Sequence, residues 1–243
     1  MSVYTSNQPR AGLDDDKIPP NCINNITVDN LIFAVENGNL KVLLVKYSEG
    51  LAADKWGLIG HWVQEDENLD SAAVRVVKTI TGVDNLYLDQ LAAFGNVDRY
   101  PIRRTITVVY YSLVRMEETC VVPKNDRSQC QWFDVRKLPE LMFDHRHIMD
   151  KGLARLQYKV RHEPIGFNLL PEKFTLLQLQ EIYEAILNKK FDKPNFRRKI
   201  LKMNFLIDCK EKQTNVAHRA ASLYRFDNHV YEKLREFGFT FEY

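Results

Sequence analysis

Residues 174–202 read FTLLQLQEIYEAILNKKFDKPNFRRKILK, and this stretch predicts two helices joined by a turn. Thr175 suits a helix N-cap, and Gln178 three residues on completes a capping box. Leu179, Ile182, Tyr183 and Ile186 recur at helical spacing and form one apolar stripe. The turn is Asn188–Asp192, and Pro194 fits the first turn of the second helix. On a wheel of about 3.6 residues per turn, Phe196, Ile200 and Met203 share one side. Asn195, Arg198 and Lys202 lie opposite, flanked by Arg197 and Lys199.

Helix, short turn and a helix with an apolar back and a basic front make the helix-turn-helix arrangement, whose second helix enters the major groove of duplex DNA. The fork geometry of Arg198 matches guanine edges and that of Asn195 matches adenine. Lys193, Arg197, Lys199 and Lys202 are expected on phosphates, which fix register without reading sequence. Thr175 and Lys190 complete the contacts expected from the helix pair. Lys189, Lys190, Lys193, Arg197, Arg198, Lys199 and Lys202 face a single acid, Asp192, and that density favours DNA over a merely solvated basic face. Further on, 205–208 and 221–226 read as two strands. The polar stretch between them fits a wing, with Lys210, Lys212, His218 and Arg219 in reach of the backbone or minor groove.

Charge separates the chain into two halves. Residues 151–243 carry 18 Lys and Arg against 11 Asp and Glu, whereas residues 1–150 carry 16 against 21. A basic half behind an acidic one suggests two jobs, one of them on a polyanion. The whole is 45% hydrophobic and 27% charged, ordinary globular composition with room for two modest cores. No apolar run of about 18 residues suggests a membrane span. The opening residues, with Asp14, Asp15 and Asp16, lack the apolar core of a signal peptide. Cys22, Cys120, Cys130 and Cys209 are scattered, so neither a disulfide framework nor a zinc site is expected and a reducing cytoplasm is the natural home.

The acidic half reads as mixed α and β. Residues 27–35 and 40–47 predict two strands joined at Asn37-Gly38, a pair suited to the positive φ angles of a tight hairpin. Ala72, Ala73, Val76, Val77 and Ile80 predict a helix over 69–80, stopped by Gly82. Residues 104–114 are rich in β-branched and aromatic side chains and predict a buried strand, with another at 131–135. Residues 139–161 read as mostly helical up to the break at Glu163–Gly166. The expected organisation is an arm over 1–25, an effector domain over 26–150 and a DNA-binding domain over 151–243.

The stretch 60–83, GHWVQEDENLDSAAVRVVKTITGV, resembles the Nudix box. Glu67, Arg75, Gly82 and Val83 fall in register with that pattern, while Gly60 sits one residue too far upstream. The three glutamates that hold the family's cations are replaced by Val76, Thr79 and Ile80, and no acid lies between Asp70 and Asp84. Mg²⁺ needs clustered oxygen ligands and diphosphate hydrolysis needs the cation, so no metal, cofactor or enzymatic activity is expected. A pocket without a metal can still bind a ligand. Asp29, a charge inside an apolar strand, and Trp56, His61, Trp62, Glu67 and Arg103 are the candidates to line it.

Together with Phe143-Asp-His145, the runs at 164–187 and 192–201, and the strand at 222–226, the degenerate box is similar to the Nudix-related transcriptional regulator family. The resemblance covers nearly the whole chain. It implies an α+β protein: an N-terminal Nudix-like α/β/α sandwich with a mixed sheet, followed by a C-terminal winged helix-turn-helix. It also implies a homodimeric, non-enzymatic repressor that binds double-stranded operator DNA, away from membranes, and answers a small effector. Within the family the sequence looks most like the arabinose-responsive branch, so L-arabinose or a related pentose is the expected effector and sugar utilisation the expected role. An ADP-ribose-responsive regulator of NAD metabolism is the alternative, and a Nudix hydrolase with an added nucleic-acid module is a further one.

Overall fold

The computed structural model describes residues 18–19, 21–48, 50–84, 86–116, 128–214, 220–237, 241 and 243. Most of the expected N-terminal arm, and His218 and Arg219 of the expected wing, lie outside the described residues.

A seven-stranded mixed sheet forms the N-terminal half. Its spine is β1 (Cys22–Glu36), a 15-residue strand. β1 runs parallel to β6 (Ile106–Val114), and antiparallel to β2 (Asn39–Tyr47) at one end and β4 (Ile59–Gln64) at the other. β5 (Asp89–Phe94) closes one edge on β6, while β3 (Trp56–Gly57) and β7 (Ser128–Asp134) pair with β2. The β1–β2 hairpin turns at Asn37 and Gly38, with φ of 49° and 70°, as the sequence requires.

Alternation along β1 assigns its side chains to two cores. Val28, Ile32 and Ala34 pack under α1 (Leu69–Thr81), whose Ala72, Ala73, Val76 and Val77 form the buried stripe. Asn68 caps α1 by accepting from the Ser71 N–H, and Gly82 ends it at φ 77°. Leu31 and Phe33 point the other way, onto α2 (His145–His162). Gly152 lets α2 approach, because a Cβ there would lie 2.2 Å from Leu31 Cδ1. This second core runs on without a break through Ile148, Leu156 and Val160 into Leu179, Tyr183, Phe196 and Phe205 of the C-terminal half.

That half opens with a short 3₁₀ helix (Pro164–Leu169) and continues with α3 (Leu176–Leu187) and α4 (Lys193–Lys202). Both halves of the Thr175–Gln178 capping box form, and Asp192 caps α4. β8 (Leu206–Lys212) and β9 (Ser222–Phe226) make the wing hairpin. Phe174 and Tyr224 exchange backbone hydrogen bonds of 2.9 and 2.8 Å, adding a one-residue third strand. α5 (Asn228–Glu236), capped by Asp227, follows.

The structure departs from expectation in four places. α2 begins at His145 rather than Pro139, because Leu141 bridges Trp56 and the Met142 N–H donates to the Trp56 carbonyl. Tertiary pairing there outweighs local helical preference. β3, β4 and β5 carry no clear alternation in the sequence, since neighbouring strands rather than their own pattern define them. β8 extends four residues past Asp208 across a register shift, at which Lys210 takes φ 57°. α5 is a helix that the sequence expectation does not include. Among the described residues no helix is long and apolar enough to cross a membrane.

Candidate functional site

A cavity of about 200 Å³ opens where β1, β4, the loop after β5 and the start of α2 converge. Its floor is charged. Asp29, 5% exposed, projects from β1 on the α2 side. One carboxylate oxygen accepts from the Thr107 hydroxyl at 2.7 Å and lies 3.7 Å from Arg99. Arg99 in turn donates to both oxygens of Asp144, just ahead of α2. The other Asp29 oxygen faces His145 Nε2 at 3.9 Å. His145 Nδ1 accepts from the Leu58 N–H at 3.0 Å, so the neutral ring carries its proton on Nε2, toward Asp29. Burial pushes the His145 pKa down, against the pull of Asp29 and Asp144.

Gly60 permits this floor, because a Cβ at that position would lie 1.9 Å from Asp29 Oδ1. The rim is aromatic. Trp62 meets Tyr100 edge-on at 6.4 Å, and Tyr100 meets Phe143 edge-on at 5.1 Å. The Arg103 guanidinium stacks 5.7 Å from the Trp62 ring centroid. Phe143 adopts φ 49°, a strained conformation for a bulky residue of the kind that gathers at ligand sites. Carboxylate below, aromatic faces and a guanidinium above suit a ligand with hydroxyls at one end and a planar or anionic group at the other. The enclosed volume is below the roughly 300 Å³ of a typical ligand pocket. That is room for about one sugar or one ring, so a longer ligand would extend beyond it.

Of the residues expected to line a pocket, Asp29, His61 and Trp62 do so, and Arg103 backs Trp62. Trp56 packs edge-on against Phe133 at 4.7 Å instead. Glu67 lies away from the cavity, accepting from Arg75 at 2.7 and 2.5 Å and from the Gln64 N–H at 2.8 Å. The Arg75 hydrogen bonds hold its carboxyl below the usual carboxylate range. Arg99, Tyr100 and His145 also line the cavity, and the sequence reading does not select them. The Phe143-Asp-His145 motif was its one available signal, and nothing local marks Arg99.

The α1 face that carries cations in a hydrolase does not fit one here. Val76 is buried against the sheet, Thr79 is exposed and Ile80 is half-buried. Asp70 accepts from the Tyr110 hydroxyl at 2.6 Å. Among the described residues no three His, Cys, Asp or Glu side chains converge as ligands.

The second surface is α4. Phe196 and Ile200 are buried, while Lys193, Asn195, Arg197, Arg198, Lys199 and Lys202 are exposed. Arg198 donates to Asn195 Oδ1 at 2.7 Å. Lys199 sits 4.8 Å from the Tyr243 ring centroid, at the flank of the helix. Lys190 lies in the turn and pairs with Glu184 at 2.6 Å. Thr175 is buried in its capping box, which leaves little of its side chain for DNA. In the wing, Lys212 is exposed and Lys210 pairs with Asp208 at 3.0 Å.

A model of the NrtR DNA-binding winged helix domain matches residues 166–226, and a model of the NUDIX domain matches residues 27–156. The chain is 32% identical over 219 residues to the "ADPR responsive transcriptional repressor NtrR" of Acinetobacter baylyi, spanning 89% of this chain and 85% of that protein. It is 30% identical over 124 residues to an ADP-ribose pyrophosphatase of Methanocaldococcus jannaschii, spanning 51% of this chain and 70% of that one. Among solved structures, it resembles Shewanella oneidensis NrtR complexed with a 27mer DNA, with TM-score 0.70 and 31% identity over 83% of this chain and 93% of that one.

Proposed function

The chain belongs to the NrtR-type regulators, which join a NUDIX domain to a DNA-binding winged helix, and we propose that it is a transcriptional repressor that binds duplex operator DNA and responds to ADP-ribose. The observation that carries this reading is similarity along almost the full length to a repressor named for its ADPR response. The exposed basic face of α4 opposite buried Phe196 and Ile200 supplies the DNA-binding surface. The Asp29 floor with its Trp62, Tyr100 and Arg103 rim supplies the effector site.

The expectation of a pentose effector is corrected. None of the relatives named above points to a pentose, and the missing glutamates do not exclude a diphosphate. Losing them removes the cation that hydrolysis needs, not the ability to hold a diphosphate, which guanidinium groups and backbone N–H groups bind without a metal. A pocket that binds ADP-ribose without cleaving it is what a sensor requires. On this reading the chain is not a hydrolase. We further read it as a homodimer on a near-palindromic site, with the effector half over 26–150 and the DNA-binding half over 151–243.

α2 links the two surfaces. It starts at His145 on the pocket floor, and near its other end Gln157 donates to the Ile186 carbonyl of α3 at 3.1 Å. Eighteen residues of helix span roughly 27 Å. An effector that prefers one setting of α2 thereby biases the DNA-binding helices.

Calorimetry with ADP-ribose and with L-arabinose, beside a phosphate-release assay with Mg²⁺ or Mn²⁺, tests the reading. Binding of ADP-ribose alone, without turnover, supports it. Pentose binding without ADP-ribose binding, or turnover of ADP-ribose, overturns it.

A further inference from the structure

After α5 the chain returns to the helix pair. Phe241 is 1% exposed, its ring 5.9 Å from Phe205 and 6.5 Å from Tyr183. Tyr243 donates its backbone N–H to the Arg161 carbonyl, at the end of α2, at 2.8 Å. Its ring meets Tyr183 of α3 edge-on at 5.0 Å and Phe191 of the turn edge-on at 5.0 Å. It also lies 5.0 Å from Phe196 of α4, with the Lys199 ammonium 4.8 Å from its centroid. One residue thus ties α2 by its backbone and touches α3, the turn and α4 by its ring. The winged-helix match ends at residue 226, before this segment.

α4 needs such a support. At ten residues it is too short to be stable alone, and only Phe196 and Ile200 of its side chains are buried. Its pose therefore depends on few contacts, and Tyr243 supplies one to Phe196 and one to Lys199. A helix that reads base edges tolerates little displacement, since hydrogen bonds to bases fail within about half an ångström.

We propose that Tyr243, backed by Phe241, is a positioning residue for DNA binding: it pins α4 to the end of α2 and sets the angle at which α4 meets the groove. The inference rests on the DNA-binding reading above, but its structural core is measurable without DNA.

The test compares full-length wild type, Tyr243→Ala and Tyr243→Phe. Amide hydrogen exchange is read across α4, and affinity is read for an operator duplex and an unrelated duplex at one salt concentration. In Tyr243→Ala the α4 amides exchange about tenfold faster and the ratio of operator to unrelated affinity falls about tenfold, while affinity for the unrelated duplex holds. Tyr243→Phe, which keeps the ring, behaves as wild type. A merely structural loss would weaken both duplexes alike and counts against the proposal, as does unchanged α4 exchange in Tyr243→Ala. If Tyr243→Ala does not fold, Tyr243→Leu keeps apolar bulk without the ring and decides on the same readouts. A wild type that binds no duplex overturns the DNA-binding reading instead, and α4 exchange still judges the clamp.

Discussion

Arg99 grips Asp144 with two nitrogens, Nε at 3.0 Å and a terminal nitrogen at 3.1 Å, and so ties the loop after β5 to the start of α2. The same guanidinium lies 3.7 Å from Asp29 and is almost fully buried. Arg99→Met leaves two sheltered carboxylates without their cation, a change that costs about 3–5 kcal/mol when a buried pair is broken. Urea denaturation of the variant checks this. A midpoint equal to wild type would mean that the cluster is solvated and not a rigid floor.

Gly60→Ala acts on the same floor from the other side. A methyl at 1.9 Å from Asp29 Oδ1 forces either that carboxylate or β4 to move, at a cost of roughly 1–3 kcal/mol. Affinity for ADP-ribose, measured by calorimetry, should fall about tenfold or more, while DNA binding without effector stays near wild type. Loss of DNA binding with retained ADP-ribose affinity would place the effector elsewhere.

His145 makes stability depend on pH. Burial holds its folded pKa below the ordinary value of 6.5. The unfolded chain therefore takes up the proton first as pH falls, so the stabilisation is complete above pH 6.5 and is lost as pH drops from there through the folded pKa. His145→Asn keeps an acceptor for the Leu58 N–H without a titrating ring, and thermal melting across that window should show a shallower decline. An identical decline would assign the pH dependence to other groups.

On α4 the two kinds of contact separate. The Asn195 carbonyl oxygen accepts from Arg198 in the free protein and so steadies that guanidinium. Arg198→Ala should lose about 1–3 kcal/mol of discrimination at one base pair. Lys193→Ala should weaken all duplexes alike and flatten the salt dependence by about 0.9 in log–log slope. Binding measured on operator variants at several salt concentrations distinguishes them, and unchanged base preference in Arg198→Ala would remove it from the groove.

The legible parts of this molecule were those whose cause is local. Thr175 and Gln178 announce α3 because a capping box is a four-residue device, and the α1 stripe and the Asn37-Gly38 turn are equally self-contained. The pocket is not local. Asp29, Arg99 and Asp144 meet only because β1, the loop after β5 and the start of α2 pack together. Nothing near Arg99 in the chain hints at either partner. Residue type and nearness to the Nudix box point to Trp56 and Glu67, which spend their surfaces on Phe133 and Arg75. Asp29 was legible because a charge in an apolar strand demands a reason.

The most direct measurement is the anisotropy of a labelled duplex from the protein's own promoter region, titrated with the full-length chain with and without ADP-ribose. The account predicts specific binding whose affinity shifts by about 5- to 150-fold with ADP-ribose and does not respond to L-arabinose. Specific binding that ignores ADP-ribose, or no specific binding at all, would contradict it.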